Sequence, residues 1–125
     1  MILDTNAISA LFVEDRALTS LLAGTDRHHL PTVVIGEYRY GLTRSRDRGA
    51  LARLLDELIA ASVVLPIDVA TTTHYAAVRD ELRATGTPIP ENDVWIAALA
   101  RQHGLPVVSR DVHFDSVQRL VRHAW

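Results

Sequence analysis

Cysteine is absent from the chain, which excludes disulfides, thiolate nucleophiles and thiolate-ligated zinc. Lysine is absent as well, all 13 basic residues being arginine. A P-loop NTPase would lack its phosphate-binding lysine and a Schiff-base enzyme its amine. No apolar run approaches the roughly 20 residues needed to cross a bilayer. The N-terminal stretch reaches an acid at Asp4, where a secretory signal would need a basic start and a longer apolar segment, so the expected location is the cytoplasm. The six histidines contain no HExxH and no pair at helical spacing, which leaves a zinc-hydrolase reading without a ligand set. They are expected on the surface or in turns, His113 alone being a candidate near a site. A formal charge of -2 is not that of a protein that coats nucleic acid, so any such contact must come from a local patch.

What is present suits one globular domain over residues 1–125. The chain is 48% hydrophobic and 22% charged, and a domain of this size buries roughly two-thirds of the surface its unfolded chain exposes. Met1 to Leu3 reads as a short buried strand that ends abruptly at Asp4-Thr5-Asn6, a cap for a helix through Phe12. Leu18, Leu21 and Leu22 mark a second helix, stopped at Gly24. A strand is expected around His28 to Leu30, and a helix opening at Pro31-Thr32, with Thr32 as its cap, runs through Val33, Val34, Glu37 and Tyr38. Leu51, Leu54, Leu55, Leu58 and Ile59 form a helical stripe, followed by a strand at Val63–Leu65. Asp68 caps a helix that stops at Gly86. After a stiff Thr87-Pro88-Ile89-Pro90 connector, Asn92 or Asp93 starts a helix whose Val94–Ala100 core is apolar nearly all round and should be buried. Pro106–Ser109 reads as a buried strand and Leu120-Val121 as an edge strand.

Short buried strands alternating with helices imply an α/β fold of three layers, α/β/α, with a short, mainly parallel central sheet. Active sites of such folds lie at the C-terminal strand ends. Four acids are placed accordingly: Asp4 follows the first strand, Glu37 falls on the Val33/Val34 stripe, Asp93 begins the buried helix, and Asp111 follows the Val107-Val108 strand. Each alone is explained by a cap, a turn or a surface ion pair. Together they repel one another by several kcal/mol at about 4 Å and an effective dielectric near 20, with no lysine to offset the charge. Hard oxygen donors converging on one edge are what Mg2+ or Mn2+ prefers, and such ions suit phosphodiester hydrolysis. Asp115, one turn beyond Asp111, is a further metal-ligand candidate, reaching the ion through water. Thr5, Asn6 and Ser109 are short polar groups able to orient ligands or water. Arg39, Arg44, Arg46, Arg48 and Arg53 cluster in sequence after Glu37 and could receive RNA phosphates, or form a solvated loop paired with Asp47 and Asp56.

Asp4-Thr5-Asn6, Glu37-Tyr38-Arg39-Tyr40-Gly41-Leu42, Asn92-Asp93-Val94-Trp95-Ile96-Ala97-Ala98 and Val108-Ser109-Arg110-Asp111-Val112-His113-Phe114 resemble, in that order, the PIN domain of VapC-type toxins, and the likeness spans essentially the whole chain. It implies a Mg2+- or Mn2+-dependent endoribonuclease, a homodimer or hetero-oligomer inhibited by a small DNA-binding antitoxin, with Asp4, Glu37, Asp93 and Asp111 as its acidic quartet and Ser109 where the family often has threonine. Two other readings compete. A receiver-like signalling module gathers acids similarly but uses a pocket lysine, and a catalytically silent PIN-like binding module would keep the fold without the reaction. A haloacid-dehalogenase-like phosphatase is disfavoured because Asp4 is followed by Thr5-Asn6 and not by a second early acid.

Overall fold

A computed structural model describes all residues, 1–125. Along the chain run β1 (Ile2–Leu3), α1 (Thr5–Phe12), α2 (Arg16–Leu22), β2 (His29–Pro31), α3 (Thr32–Leu42), α4 (Arg48–Ala60), β3 (Val63–Leu65), α5 (Val69–Thr85), α6 (Glu91–His103), β4 (Val107–Val108) and β5 (Arg122–His123), with a 3-10 turn at Val112–Ser116 before β5. The five strands form one sheet in the order β3-β2-β1-β4-β5, and every adjacent pair is parallel. Parallel neighbours require crossovers, so the helices cover the sheet and the architecture is the three-layer α/β/α arrangement.

The strand order places a crevice. From β1 the chain first builds outward through β2 and β3, then returns to the other side of β1 to lay down β4 and β5. Crossovers on either side of β1 diverge, and sheets of this type bind ligands at the C-terminal ends of the strands where they part, here β1 and β4. Asp4 and Ser109 are the residues that follow those two strands, and the Asp4 N–H still donates to the Val108 carbonyl at 3.1 Å.

Helix starts and stops follow local chemistry in most places. Asp4, Asp15 and Asp68 accept backbone N–H bonds as N-caps, Asp68 completing a capping box with Thr71. Gly86 and Gly104 close α5 and α6 at φ of 67° and 64°, values that cost glycine nothing because it has no Cβ. Three boundaries differ from the sequence reading. Pro31 is the last residue of β2 and the N-cap of α3, so Thr32 is already helical and caps nothing; strand runs into helix with no loop between. Pro90 is the N-cap of α6, which starts at Glu91 and leaves Asp93 in its first turn. The edge strand is Arg122–His123 and not Leu120-Val121, because pairing with β4 selects it: Val107 N–H donates to Val121 O and Ser109 N–H to His123 O. His29 and His123 consequently lie in strands and not in turns.

The core joins Ile2, Leu3, Leu30, Val107 and Val108 of the sheet to Ile8, Leu18, Val34, Leu55, Val78 and the α6 residues Ile96, Ala97 and Leu99. Ala97, Ala98, Leu99 and Ala100 are all buried, which explains why α6 is apolar nearly all round: its surroundings are protein on most sides. No helix is long and apolar enough to cross a membrane.

Candidate metal centre at the strand ends

Asp4 is buried, and both its oxygens are held. Oδ1 accepts the Thr5 N–H at 2.8 Å, and Oδ2 accepts the Ser109 hydroxyl at 2.6 Å and the Asn6 amide at 3.4 Å. The rest of the site grows from these same short side chains. Thr5 donates its hydroxyl to Glu37 Oε2 at 3.0 Å, while the second Glu37 oxygen accepts the Asn92 amide at 2.8 Å. Asn6 donates to Ser109 Oγ at 3.1 Å and accepts the Arg110 N–H at 3.2 Å. Ser109, completely buried, also receives the Asp111 N–H at 2.9 Å. Thus Thr5, Asn6 and Ser109, singled out in the sequence as orienting groups, each fasten acids or their flanking backbone.

Asp93 approaches from the first turn of α6, where the positive end of the helix dipole faces it. Its Oδ2 lies 3.1 Å from His113 Nδ1, and the same ring nitrogen lies 2.8 Å from Asp111 Oδ1. The donor atoms of Asp93, Asp111 and His113 all fall within 4.8 Å of one another. Burial pushes the Asp93 carboxyl up to about 6, the His113 contact opposing and the charges of Asp4 and Asp111 adding to the rise. Asp4 is raised by burial too, with Glu37 and Asp111 repelling it and its hydrogen bonds working the other way. His113 is raised, first by its hydrogen bond to Asp93. Four carboxylates therefore lie near one another at the strand ends, Asp93 and Asp111 within ligand distance of His113, and none of their hydrogen bonds comes from an arginine side chain.

Such a donor set fits a divalent cation. Neutral donors from Ser109, Thr5, Asn6 and Asn92 fix the carboxylates without cancelling their charge, and hard carboxylate oxygens match Mg2+ or Mn2+ chemistry. The larger cavity, about 490 Å³ beside the end of α6 and β5 and lined by Arg101, Arg119 and His123 among others, contains none of these acids.

Other sequence candidates are placed differently. Asp115 is gripped by Arg122 through two 2.8 Å bonds, which hold its carboxyl below the ordinary carboxylate range; it is not brought into the Asp93–Asp111–His113 group. Glu37 pairs with neither Arg39 nor Arg44. Arg39 is tied to Asp56 at 3.1 Å, while Arg44, Arg46, Arg48 and Arg53 are exposed. A groove of about 340 Å³ between α3 and α4 is lined by Arg39 and Arg48 with Leu42, Thr43, Gly49 and Ala52. Sequence reasoning missed two residues that act here: Asn92, whose only clue was its place beside Asp93, and Arg122, whose partner is seven residues away across a turn. Both are visible only once the elements are assembled.

Known proteins resemble this chain in sequence and in fold. The PIN domain family model matches residues 1–120. VapC ribonuclease Y4jK of Sinorhizobium fredii is 31% identical over 121 residues, covering 89% of this chain and 86% of that protein. Ribonuclease VapC4 of Mycobacterium tuberculosis is 36% identical over 81 residues, 63% of this chain and 62% of the relative's length. The crystal structure of DNA-bound VapBC from Salmonella typhimurium superposes with a TM-score of 0.87 at 25% identity, over 99% of this chain and 96% of that one.

Proposed function

This chain belongs to the PIN-domain family, and from that premise we propose that it is a divalent-metal-dependent endoribonuclease, the toxin of a toxin–antitoxin pair. The observation that carries the reading is the pocket of four carboxylates, Asp4, Glu37, Asp93 and Asp111, at the switch point of a parallel sheet, tied together by neutral donors and one histidine. Ribonuclease names among relatives such as Y4jK and the Salmonella VapBC assembly on DNA support RNA as substrate and a small DNA-binding antitoxin as partner, in a homodimer or a hetero-oligomer.

The roles follow from position. Asp4, Asp93 and Asp111 would hold the ion, Mg2+ or Mn2+. When bound, that ion supplies an acidified water and charge stabilisation for the departing oxygen. Ser109 keeps Asp4 and the Asp111 backbone in register, so that two ligands from different strands move as one unit. Glu37, clamped by Thr5 and Asn92, faces the pocket from α3, where its carboxylate orients the attacking water and receives its proton. The exposed arginines of the α3–α4 segment, Arg44, Arg46 and Arg48 with Arg39 beside them, offer landing points for RNA phosphates. The antitoxin inactivates the nuclease by setting a cationic side chain against the acidic pocket.

The test is cleavage itself. Purified protein should cut RNA with Mg2+ or Mn2+ and stop in EDTA; undiminished cutting in EDTA would overturn the assignment. Expression alone should slow growth, and co-expression of an adjacent short reading frame should restore it.

A further inference from the structure

His113 touches two carboxylates from different elements at once. Its Nδ1 lies 3.1 Å from Asp93 Oδ2, carried by α6, and 2.8 Å from Asp111 Oδ1, carried by the loop after β4. Two donors that sit side by side in an octahedron at about 2.1 Å from a metal are about 3.0 Å apart, so the imidazole nitrogen already keeps ligand spacing to both oxygens. The ring is also anchored. The His113 N–H donates to Asp111 Oδ1 at 2.9 Å, and Phe114, completely buried, pins the 3-10 turn from the other side. With 45% of its side chain exposed, the ring leaves solvent a route to the pocket.

We infer that His113 is a nitrogen ligand of the metal site, completing an O,O,N donor set with Asp93 and Asp111 that selects Mn2+ and later first-row divalent ions over Mg2+. The inference rests on the metallonuclease reading above and sharpens it. Mg2+ takes oxygen donors and keeps its waters, so a nearby imidazole adds little to its binding. Imidazole is a ligand of first-row transition ions, with affinity rising from Mn2+ toward the later ones, whereas Mg2+ keeps to oxygen. Replacing His113 should therefore change which ion the pocket prefers, whereas replacing an acid should weaken every ion.

Mn2+ reports its own ligands, so the experiment does not depend on activity. The full chain is stripped of metal and titrated with Mn2+ while the signal of the free aqua ion is followed by electron paramagnetic resonance. The bound ion is then examined by electron spin echo envelope modulation. Wild type should show ¹⁴N modulation that changes to the ¹⁵N pattern when only histidine is ¹⁵N-labelled, which identifies the nitrogen without any mutation. His113→Gln should abolish that modulation and weaken Mn2+ binding roughly tenfold or more, while Mg2+ binding, followed by calorimetry, changes by less than about threefold because a water takes the vacated position. Bound Mn2+ without histidine nitrogen modulation, or equal losses for the two ions in His113→Gln, would overturn the proposal and leave the nuclease reading in place. Failure of wild type to bind Mn2+ would overturn the proposal, and failure to bind Mg2+ as well would overturn the nuclease reading with it.

Discussion

Glu81 on α5 and Asp93 on α6 sit in neighbouring helices that pack together, and the fold treats them in opposite ways. The Glu81 carboxylate receives two bonds from Arg101, at 2.6 and 3.2 Å, and lies 3.6 Å from Arg119. Its pKa is lowered, foremost by the Arg101 hydrogen bond. Asp93 has one ring nitrogen for a partner and is pushed up to about 6 by burial. The same contrast separates Asp115, clamped by Arg122, from Asp111 four residues earlier. At Glu81 and Asp115 an arginine neutralises the acid where it sits. At the strand ends the acids are oriented by hydroxyls, amides and a histidine, and their charge remains for a cation to neutralise. A buried ion pair and a metal site thus differ less in their acids than in what the fold withholds from them.

Four experiments bear on that contrast. The largest effect belongs to the acids themselves: Asp4→Asn or Asp93→Asn should lower RNA cleavage by at least about a hundredfold, beyond the 10- to 100-fold typical of groups that only support a ligand. Circular dichroism should show a native fold in each, since the swaps are nearly isosteric. A variant retaining a tenth of wild-type activity would remove that residue from the centre.

On the architectural side, Arg101→Met should cost about 1–3 kcal/mol of stability, the range for a polar group left without its partner, because the Glu81 carboxylate is then short of donors. Cleavage per folded molecule should not change. Denaturant melts and rates on the same preparation would show whether α5–α6 pairing and chemistry are separable, and a matching loss of activity at full folding would join them.

The third experiment exploits pH. Asp93 has a folded pKa of about 6 against 3.8 for the free side chain, so between those values the folded state keeps a proton that the unfolded chain has released. The contribution of Asp93 to the stability of the metal-free protein falls as pH rises through this window, by up to about 3 kcal/mol at 1.36 kcal/mol per pKa unit. The raised pKa of His113 acts with the same sign, its contribution being present at low pH and lost as pH rises past the folded value. In EDTA, Asp93→Asn should therefore match wild type near pH 4 and exceed it by about 1–3 kcal/mol near pH 7.5. Parallel stability curves across that range would contradict the burial of an uncompensated charge. The sign is opposite to that of Arg101→Met, and this reversal is the sharpest expression of the two kinds of acid.

The smallest effect is expected at Asp115. At limiting Mn2+, Asp111→Asn should cost about 10- to 100-fold in activity, while Asp115→Asn, which removes a largely exposed ion pair worth no more than about 1 kcal/mol, should cost less than about threefold. The reverse ranking, with both proteins equally folded, would bring Asp115 into the centre and displace Asp111.

Much of this was legible in the residues alone. The apolar triplet before Asp4 and the pair before Ser109 announce short strands by their abrupt ends, and the acids beside them fall at strand termini as a matter of chain continuity. The nearly unbroken apolar run from Val94 to Ala100 announces a buried helix, and Gly86 and Gly104 announce helix stops. These are local statements, governed by side-chain periodicity over a few residues and by backbone freedom at single positions. They suffice for the layer architecture and for which acids share an edge.

What the residues could not decide is which partner each acid would meet. Asn92 donates to Glu37 across 55 positions of chain, and Ser109 to Asp4 across 105; those meetings exist because β4 returns to lie beside β1 and because α6 packs against α3. Arg122 is seven residues from Asp115, yet it reaches that carboxylate only because β5 pairs with β4 at Arg122–His123 and not at the more apolar Leu120-Val121. His113 reads as a candidate near the site without a partner until the 3-10 turn sets its ring beside Asp93 and Asp111. Local sequence encodes propensity and periodicity, which are short-ranged, whereas hydrogen-bond pairing and charge compensation depend on distances that only the assembled sheet order and helix packing establish. The sequence thus determined that this protein would gather acids at one edge of a parallel sheet, and the tertiary structure decided that no arginine would hydrogen-bond to them.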